Sequence, residues 1–257
     1  MLKINVYGGT DRGKVRANNQ DSICFNQFDK SSQLLAIVAD GVGGHAGGEV
    51  ASKLAVDSVE DHFRKSLLLA HSGAGYSDNW LTQNIEKSIL LANQQIKKQQ
   101  LENEALLTMA TTLVMLVLVD DMAGFCCLGD SRIYGWRNNQ LTQLTKDQTV
   151  AQQMLDEGTL TEEQARLSPY HHVLTNGLGI SSDIDIKVSD LFVNANDTYL
   201  LCSDGLTNCL TDNAIAEILA TDLGIKEKVE ELIAAANDNG GQDNISVVLI
   251  ECENDSV

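Results

Sequence analysis

Five aspartates stand where apolar runs of the sequence begin or end. Asp40 closes the run 34–39 and Asp204 follows the run 199–203. Asp130 lies between the apolar stretches 125–128 and 133–134. Asp243 opens the last apolar run after Gly240-Gly241, and Asp21 opens the second. Singly, an Asp-Gly pair after a strand is an ordinary hairpin turn. Asp40-Gly41 and Asp204-Gly205 lead toward helices instead of a returning strand. A glycine beside such an aspartate lets a backbone carbonyl approach the same ion that the carboxylate binds. An all-oxygen donor set selects hard cations, Mg²⁺ or Mn²⁺, over zinc, and no His/Cys ligand spacing competes. Two such ions, ~3.5–4 Å apart, can neutralise a phosphate undergoing in-line attack.

The elements that must position these residues follow from hydrophobic periodicity. Residues 2–8, 22–27 and 34–39 read as strands. Then the period changes: Ala51, Leu54, Ala55, Val59 and Phe63 share a helical face, and after a loop at 72–77 so do Ile85, Ile89, Ala92 and Ile96. Strands return at 111–119, 123–128 and 131–137, and Asn138-Asn139 turns into 140–144. A helix is expected at 148–157, and Thr161 with Gln164 forms a capping box opening another. Strands at 184–192 and 198–202, helices at 213–219 and 226–237, and a strand at 245–252 complete the chain. Strands in runs and helices in pairs argue for antiparallel sheets with segregated helices, an α+β fold.

Composition bounds the function. The 257 residues carry a formal net charge of −18, which disfavours nucleic acid and anionic membranes as partners. With one proline, no repeat and no linker, a single domain over residues 1–257 is expected. Six cysteines form no Cys-x-x-Cys pair and sit mostly in apolar runs, as reduced core residues do. No signal-peptide pattern opens the chain, and the longest apolar run, 113–119, is far shorter than the ~20 residues a bilayer requires. A soluble cytoplasmic protein is expected.

The motifs carrying the aspartates form a known series. Residues 10–22, containing Arg16-Ala17-Asn18-Asn19-Gln20-Asp21, resemble the first signature of the type-2C, metal-dependent protein phosphatases. Residues 40–52, from Asp40-Gly41-Val42-Gly43-Gly44-His45, resemble the second. Thr111-Thr112-Leu113, Leu128-Gly129-Asp130-Ser131-Arg132, Ser203-Asp204-Gly205-Leu206 and Gly240-Gly241-Gln242-Asp243-Asn244 follow in the family's order. The likeness spans residues 10–248 and is nearest to stand-alone bacterial members.

The resemblance implies a four-layer αββα sandwich of two antiparallel sheets flanked by helix pairs. It also implies a metal-dependent protein phosphatase that hydrolyses phosphoserine and phosphothreonine with metal-activated water. Asp40 and the Gly41 carbonyl would bind the two central ions, and Asp204 and Asp243 would complete the first. Asp21 would hold metal-bound water, and Asp130 with Asp204 a third ion. The cofactors would be two or three Mn²⁺ or Mg²⁺ ions. Arg16 would take the substrate phosphate, His45 would protonate the leaving oxygen, and Asn244 would orient Asp243. Partners would be phosphorylated proteins and a counterpart serine/threonine kinase, with the chain acting as a monomer. Residues 145–182 would form the variable flap, containing His171 and His172.

Four positions depart from the family's pattern: Gln20 for glutamate, Ala110 for glycine, and Asn176-Gly177 for Arg-Ala. Ser203 lacks the Gly-x-Ser-x-Gly setting of a nucleophile and reads as structural. The alternatives are a catalytically silent pseudophosphatase acting as a regulatory binding module, or an enzyme acting on small phosphorylated molecules or phosphohistidine.

Overall fold

The computed structural model describes residues 2–28, 33–43, 47–70, 76–77, 79–120 and 122–254. Two antiparallel sheets dominate. The first runs in the order β1 (Leu2–Asp11), β11 (Ile245–Asn254), β10 (Thr198–Cys202), β7 (Arg132–Arg137), β8 (Gln140–Gln143). The second runs β2 (Asp21–Gln27), β3 (Gln33–Val42), β5 (Leu113–Val119), β6 (Met122–Leu128), β9 (Val188–Asp190), and β4 (Ala110–Thr111) pairs with the end of β3.

Why these sheets stack is visible in their side-chain alternation. On β3, Leu35, Ile37 and Ala39 join one apolar cluster while Leu34, Ala36 and Val38 join another. The first cluster packs the second sheet against α1 (Gly47–Leu69) and α2 (Trp80–Glu102). The second lies between the sheets, where Val114 and Leu116 meet Leu201, Val248 and Ile250. On the opposite face of β11, Ile245, Val247 and Leu249 pack against α6 (Asp212–Leu219) and α7 (Ile225–Asp238). Three apolar layers thus separate four structural layers, which is the αββα α+β arrangement. Strands buried on both faces need continuous apolar runs, and β5 reads LVMLVLV with every residue buried.

The described residues also hold three short α-helices, α3 (Val150–Asp156), α4 (Glu162–Arg166) and α5 (Asp204–Thr207), and a 3-10 turn at Glu104–Leu106. Thr149 caps α3 by accepting the Gln152 N–H, and Thr161 with Gln164 makes the expected capping box on α4. Asn138 and Asn139 both adopt left-handed backbone, φ 52° and 61°, as the tight β7–β8 turn requires.

The strand expected over 184–192 shrinks to Val188–Asp190, which pair in register with the edge of β6, and one further bond, from the Leu191 N–H to the Ala123 carbonyl, follows. The first strand runs three residues beyond its expected end, to Asp11, since β11 pairs along its whole length. Of the loop expected at 72–77, only Tyr76 and Ser77 lie among the described residues. All six cysteines are free thiols and five are buried, as their apolar settings implied. Among the described residues no helix is long and apolar enough to cross a membrane.

Candidate active site

The five aspartates come from separate strand ends and turns. Asp21 opens β2 directly opposite Asp40 on β3. The Asp40 N–H donates to Thr112 Oγ1 at 2.9 Å, and its carbonyl accepts from the Thr112 N–H and from Thr111 Oγ1. Thr112 Oγ1 in turn meets Ser131 Oγ at 2.7 Å, linking Asp40 to the β6–β7 turn that carries Asp130. Asp204 is the first residue of α5, and Asp243 lies two residues before β11. Close backbone approach requires glycine at Gly41, where a Cβ would sit 2.2 Å from the Gly48 carbonyl oxygen. At Gly205 it would sit 2.0 Å from that of Asn244.

Burial and mutual repulsion push protons onto these carboxyls. Asp21 is 9% exposed and its pKa rises to about 7, chiefly by burial and then by repulsion from Asp204 and Asp243. Burial and the Asp204 charge raise Asp130 to about 8. Asp40 is raised by burial and by Asp21, Asp204, Asp130 and Asp243 together. Burial raises Asp204 as well, with Asp243 adding to the shift. Strongly perturbed carboxyls in one cleft mark a functional site.

The donor chemistry fits hard divalent cations. Asp21 Oδ1 and Asp204 Oδ1 are buried and have no hydrogen-bond partner, an arrangement proteins avoid unless a ligand satisfies it. Their companion oxygens are satisfied: Ser203 Oγ donates to Asp21 Oδ2 at 2.8 Å and Asn208 Nδ2 to Asp204 Oδ2 at 3.0 Å. Among the described residues no three acidic, imidazole or thiol groups already converge tightly enough to hold an ion by themselves. The two orphaned oxygens identify what the cluster lacks, which is positive charge.

Arg16 supplies part of it. Its guanidinium Nη2 lies 2.6 Å from Asp243 Oδ2, and its pKa is raised by that bond and by the neighbouring charges of Asp40 and Asp204. The loop bearing Arg16 is fastened by Asn244. Asn244 Nδ2 donates to the Arg12 and Asn18 carbonyls, and Oδ1 accepts the Gln20 N–H. Asn244 also touches Asp243, but through its backbone N–H, which donates to Asp243 Oδ1 at 2.8 Å.

Gln20 contributes through its backbone: its carbonyl accepts from Ser52 Oγ and from the Gly41 N–H. Ala110 is accommodated because Gly179, φ +83°, lies opposite it. Asn176 donates to the Asp185 carbonyl. His45 lies outside the described residues. His62 Nε2 meets Asn84 Oδ1 between α1 and α2. His171 Nδ1 donates to the Ser168 carbonyl, and its ring packs edge-on to His172.

Asp130 and Asp204 also line a cleft of about 830 Å³. Its remaining walls come from β7 and β8, from the segment around α3 and α4, and from the α5–α6 turn. His171 lines it. Sequence reasoning singled out the aspartates but gave no role to Thr112, Asn208 or Arg132, and it left Ser203 without a partner. Only Asn208 carried a local signal, four residues after Asp204 on the same helical turn; Thr112, Ser203 and Arg132 reach their aspartates across 72, 182 and 15 positions.

The sandwich, the glycine-guarded strand ends and the all-oxygen cluster are those of a metal-dependent phosphatase. The protein phosphatase 2C family profile matches residues 8–249, and the chain belongs to that family. It is 35% identical over 242 residues to the serine/threonine phosphatase stp of Listeria welshimeri, covering 94% of this chain and 93% of that one. It is 33% identical over 242 residues to protein phosphatase PhpP of Streptococcus pneumoniae, covering 94% of each. Among solved structures, the Mycobacterium tuberculosis serine/threonine phosphatase PstP/Ppp superposes with a TM-score of 0.82 at 33% identity, covering 98% of this chain and 100% of that one. The PstP catalytic domain in complex with two manganese ions superposes with a TM-score of 0.80 at 33% identity, over 99% and 100%.

Proposed function

We propose that this chain removes phosphate from phosphoserine and phosphothreonine in proteins, opposing a serine/threonine kinase in bacterial signalling. It acts as a cytoplasmic monomer through one domain spanning residues 1–257. Its cysteines, all free thiols, suit a reducing compartment. The observation that carries the reading is the cluster of five aspartates, two of them with an orphaned buried oxygen.

The ions are Mn²⁺ or Mg²⁺, and the manganese-bound relative favours the first. Asp40, the Gly41 carbonyl, Asp204 and Asp243 would hold two of them, Asp21 would hold bound water, and Asp130 with Asp204 would take a third. When bound, they lower the pKa of water and neutralise the phosphoryl group under attack. Phosphate-monoester hydrolysis is extremely slow unaided, so electrostatic stabilisation must supply most of the barrier reduction.

The chain's own residues do the remainder. Arg16 turns from Asp243 to fork two phosphate oxygens, for which its planar donors are suited. Asn244 fixes the loop that delivers it. Ser203 Oγ holds Asp21 and accepts the Ser246 N–H at 2.9 Å, so it is committed and buried and cannot serve as a nucleophile. Direct attack by water, without a phosphoenzyme, follows. The cleft beside Asp130 and Asp204 receives the peptide flanking the phosphorylated residue. His45 is assigned the proton for the leaving oxygen. The pseudophosphatase alternative is not supported, since every aspartate of the cluster is present.

The test is hydrolysis of a phosphothreonine peptide, of phosphohistidine and of a small phosphate ester, each with EDTA, Mg²⁺ and Mn²⁺, with Asp204→Ala as control. Cation-dependent release from the peptide that is lost in the variant is the expected result. No release with either cation from folded protein overturns the enzyme, and release only from the other substrates overturns the substrate class.

A further inference from the structure

Arg132 begins β7, two residues after Asp130, and three of its five N–H donors are engaged. Nε and Nη2 fork the Asp147 carboxylate at 2.8 and 2.7 Å, and Nη1 donates to the Tyr134 hydroxyl at 3.0 Å. That hydroxyl donates to Asp212 Oδ1 on α6. With its Nε/Nη2 edge committed to a carboxylate, this guanidinium does not offer that forked edge to a phosphate. The next residue along the segment, Gln148, grips the same turn from its other end. Its side chain accepts the Gly129 N–H at 3.0 Å and donates to the Cys127 carbonyl, and its own N–H donates to the Gly129 carbonyl.

The turn 129–131 is therefore held between two anchors. Toward the sheet, Ser131 is tied through Thr112 to Asp40. Toward the segment 145–182, the ties are the Arg132–Asp147 fork and the Gln148 contacts. Asp130 rides on this turn, 9% exposed, and both Asp130 and Asp147 face the cleft. A rigid turn tied to two bodies transmits the position of one to the other.

We propose that Arg132 is a positioning residue that couples the segment 145–182 to Asp130, so that a cation held by Asp130 and Asp204 and the placement of that segment favour one another. The coupling rests on the reading of Asp130 as a cation ligand. Its reciprocity is thermodynamic: whatever the segment's position does to cation affinity, the cation must do to the segment. Partners behind a metal ligand typically change affinity by about 10–100-fold when removed.

The test uses the full chain and Mn²⁺ alone, so it does not depend on phosphatase activity, and failure of the functional reading would leave it interpretable. Mn²⁺ is titrated calorimetrically into the wild type, Arg132→Lys, Asp130→Ala and the double variant. Arg132→Lys keeps the charge and loses the fork. The wild type should show a weak binding phase that Asp130→Ala abolishes. Arg132→Lys should weaken that phase about tenfold while the tighter phase stays put. Adding Arg132→Lys to Asp130→Ala should change nothing further. Saturating Mn²⁺ should slow proteolysis within 145–182 in the wild type but not in Arg132→Lys. Gln148→Met cuts the second anchor and should reproduce the same pattern, which covers the case in which Arg132→Lys does not fold. No Asp130-dependent phase in the wild type, an unchanged weak phase in a folded variant, or an equal loss in both phases overturns the proposal.

Discussion

Crowding carboxylates without a counter-ion costs stability, and the cost depends on pH. In the metal-free protein Asp21 is pushed to about 7 and Asp130 to about 8, against ~3.9 for an aspartate in an unfolded chain. A carboxyl whose folded value is raised keeps a proton that the unfolded chain has released. Its stabilising contribution is complete below about pH 4 and is lost as pH climbs through 7 and 8. Each retained proton changes stability by about 1.4 kcal/mol per pH unit. Counting one proton alone, the rise from about pH 5.5 to about pH 7 costs about 2 kcal/mol, or roughly 4–8 °C in Tm for a chain of this size.

His62 works the other way. Burial lowers its pKa, so its contribution grows as pH rises through the unfolded histidine value of ~6.5. The cluster is isolated from it by comparison with Asp130→Asn, which removes one of the carboxyls and leaves His62 untouched. The assay is thermal unfolding followed by circular dichroism across this pH range, with EDTA and with saturating Mn²⁺. With EDTA, Tm should fall as pH rises, and the fall should be shallower in Asp130→Asn. With Mn²⁺, Tm should be higher and the fall should vanish, because bound cations hold the carboxylates ionised. A metal-free Tm that stays flat or rises with pH, matched by Asp130→Asn, would refute the electrostatic reasoning.

Three further outcomes follow from the same geometry. Asp204→Ala should reduce turnover on a phosphothreonine peptide by at least about a hundredfold, more than loss of an outer partner costs. Its Tm in EDTA should not drop, because the substitution removes a repelling carboxyl with an orphaned oxygen; a collapse of Tm would contradict this. Arg16→Ala should raise the Michaelis constant about tenfold through loss of a charge-assisted contact, and an unchanged constant would remove Arg16 from the phosphate site. Gly205→Ala should destabilise the protein by about 1–3 kcal/mol in urea unfolding, toward the upper end because its Cβ would sit 2.0 Å from the backbone carbonyl oxygen of Asn244. Wild-type stability there would mean that the α5–β11 junction is looser than the structure shows.

What was legible in the sequence was local. The alternation on β3, the unbroken apolar run of β5 and the helical stripes of α1 and α2 each report one element's burial, and each is written in adjacent residues. The short edge strand β9 was over-read because Ile184, Ile186 and Val188 alternate like a strand, yet the first two pack against the helical layer without strand partners. The aspartates were legible because each stands at the edge of an apolar run, with glycine adjacent at Asp40, Asp130 and Asp204. Their wiring was not. Ser203 reaches Asp21 across 182 positions and Tyr134 reaches Asp212 across 78. No periodicity encodes such pairs; the first exists only once the two sheets have stacked, the second only once α6 has packed on the outer face of β7. The role of Asn244 shows the same boundary, since its neighbour in sequence, Asp243, touches its backbone while its side chain serves a loop more than two hundred residues away.

The placement of the cluster follows from the sandwich itself. Strands buried on both faces cannot carry an aspartate along their length, because an unpaired buried charge is prohibitively costly. Strand ends and the turns beside them are the first places where a carboxylate is tolerable, and stacking two sheets brings several such ends together. The price is a set of carboxyls that repel one another and recruit protons. Cations relieve that repulsion and, in the proposed reaction, do the chemistry, so stability and activity draw on the same ions. Arg16 occupies the intermediate position. It pairs with Asp243 in the protein alone, and it sits on a loop stapled by Asn244 rather than in the sheet. In the proposed function, cations that take Asp243 would leave the guanidinium without its carboxylate partner, beside the site with its donors unspent. A phosphate there offers the same forked geometry as the carboxylate it replaces. On that proposal, the side chain that steadies the metal-free cluster would become available to substrate only when the ions needed for hydrolysis are in place.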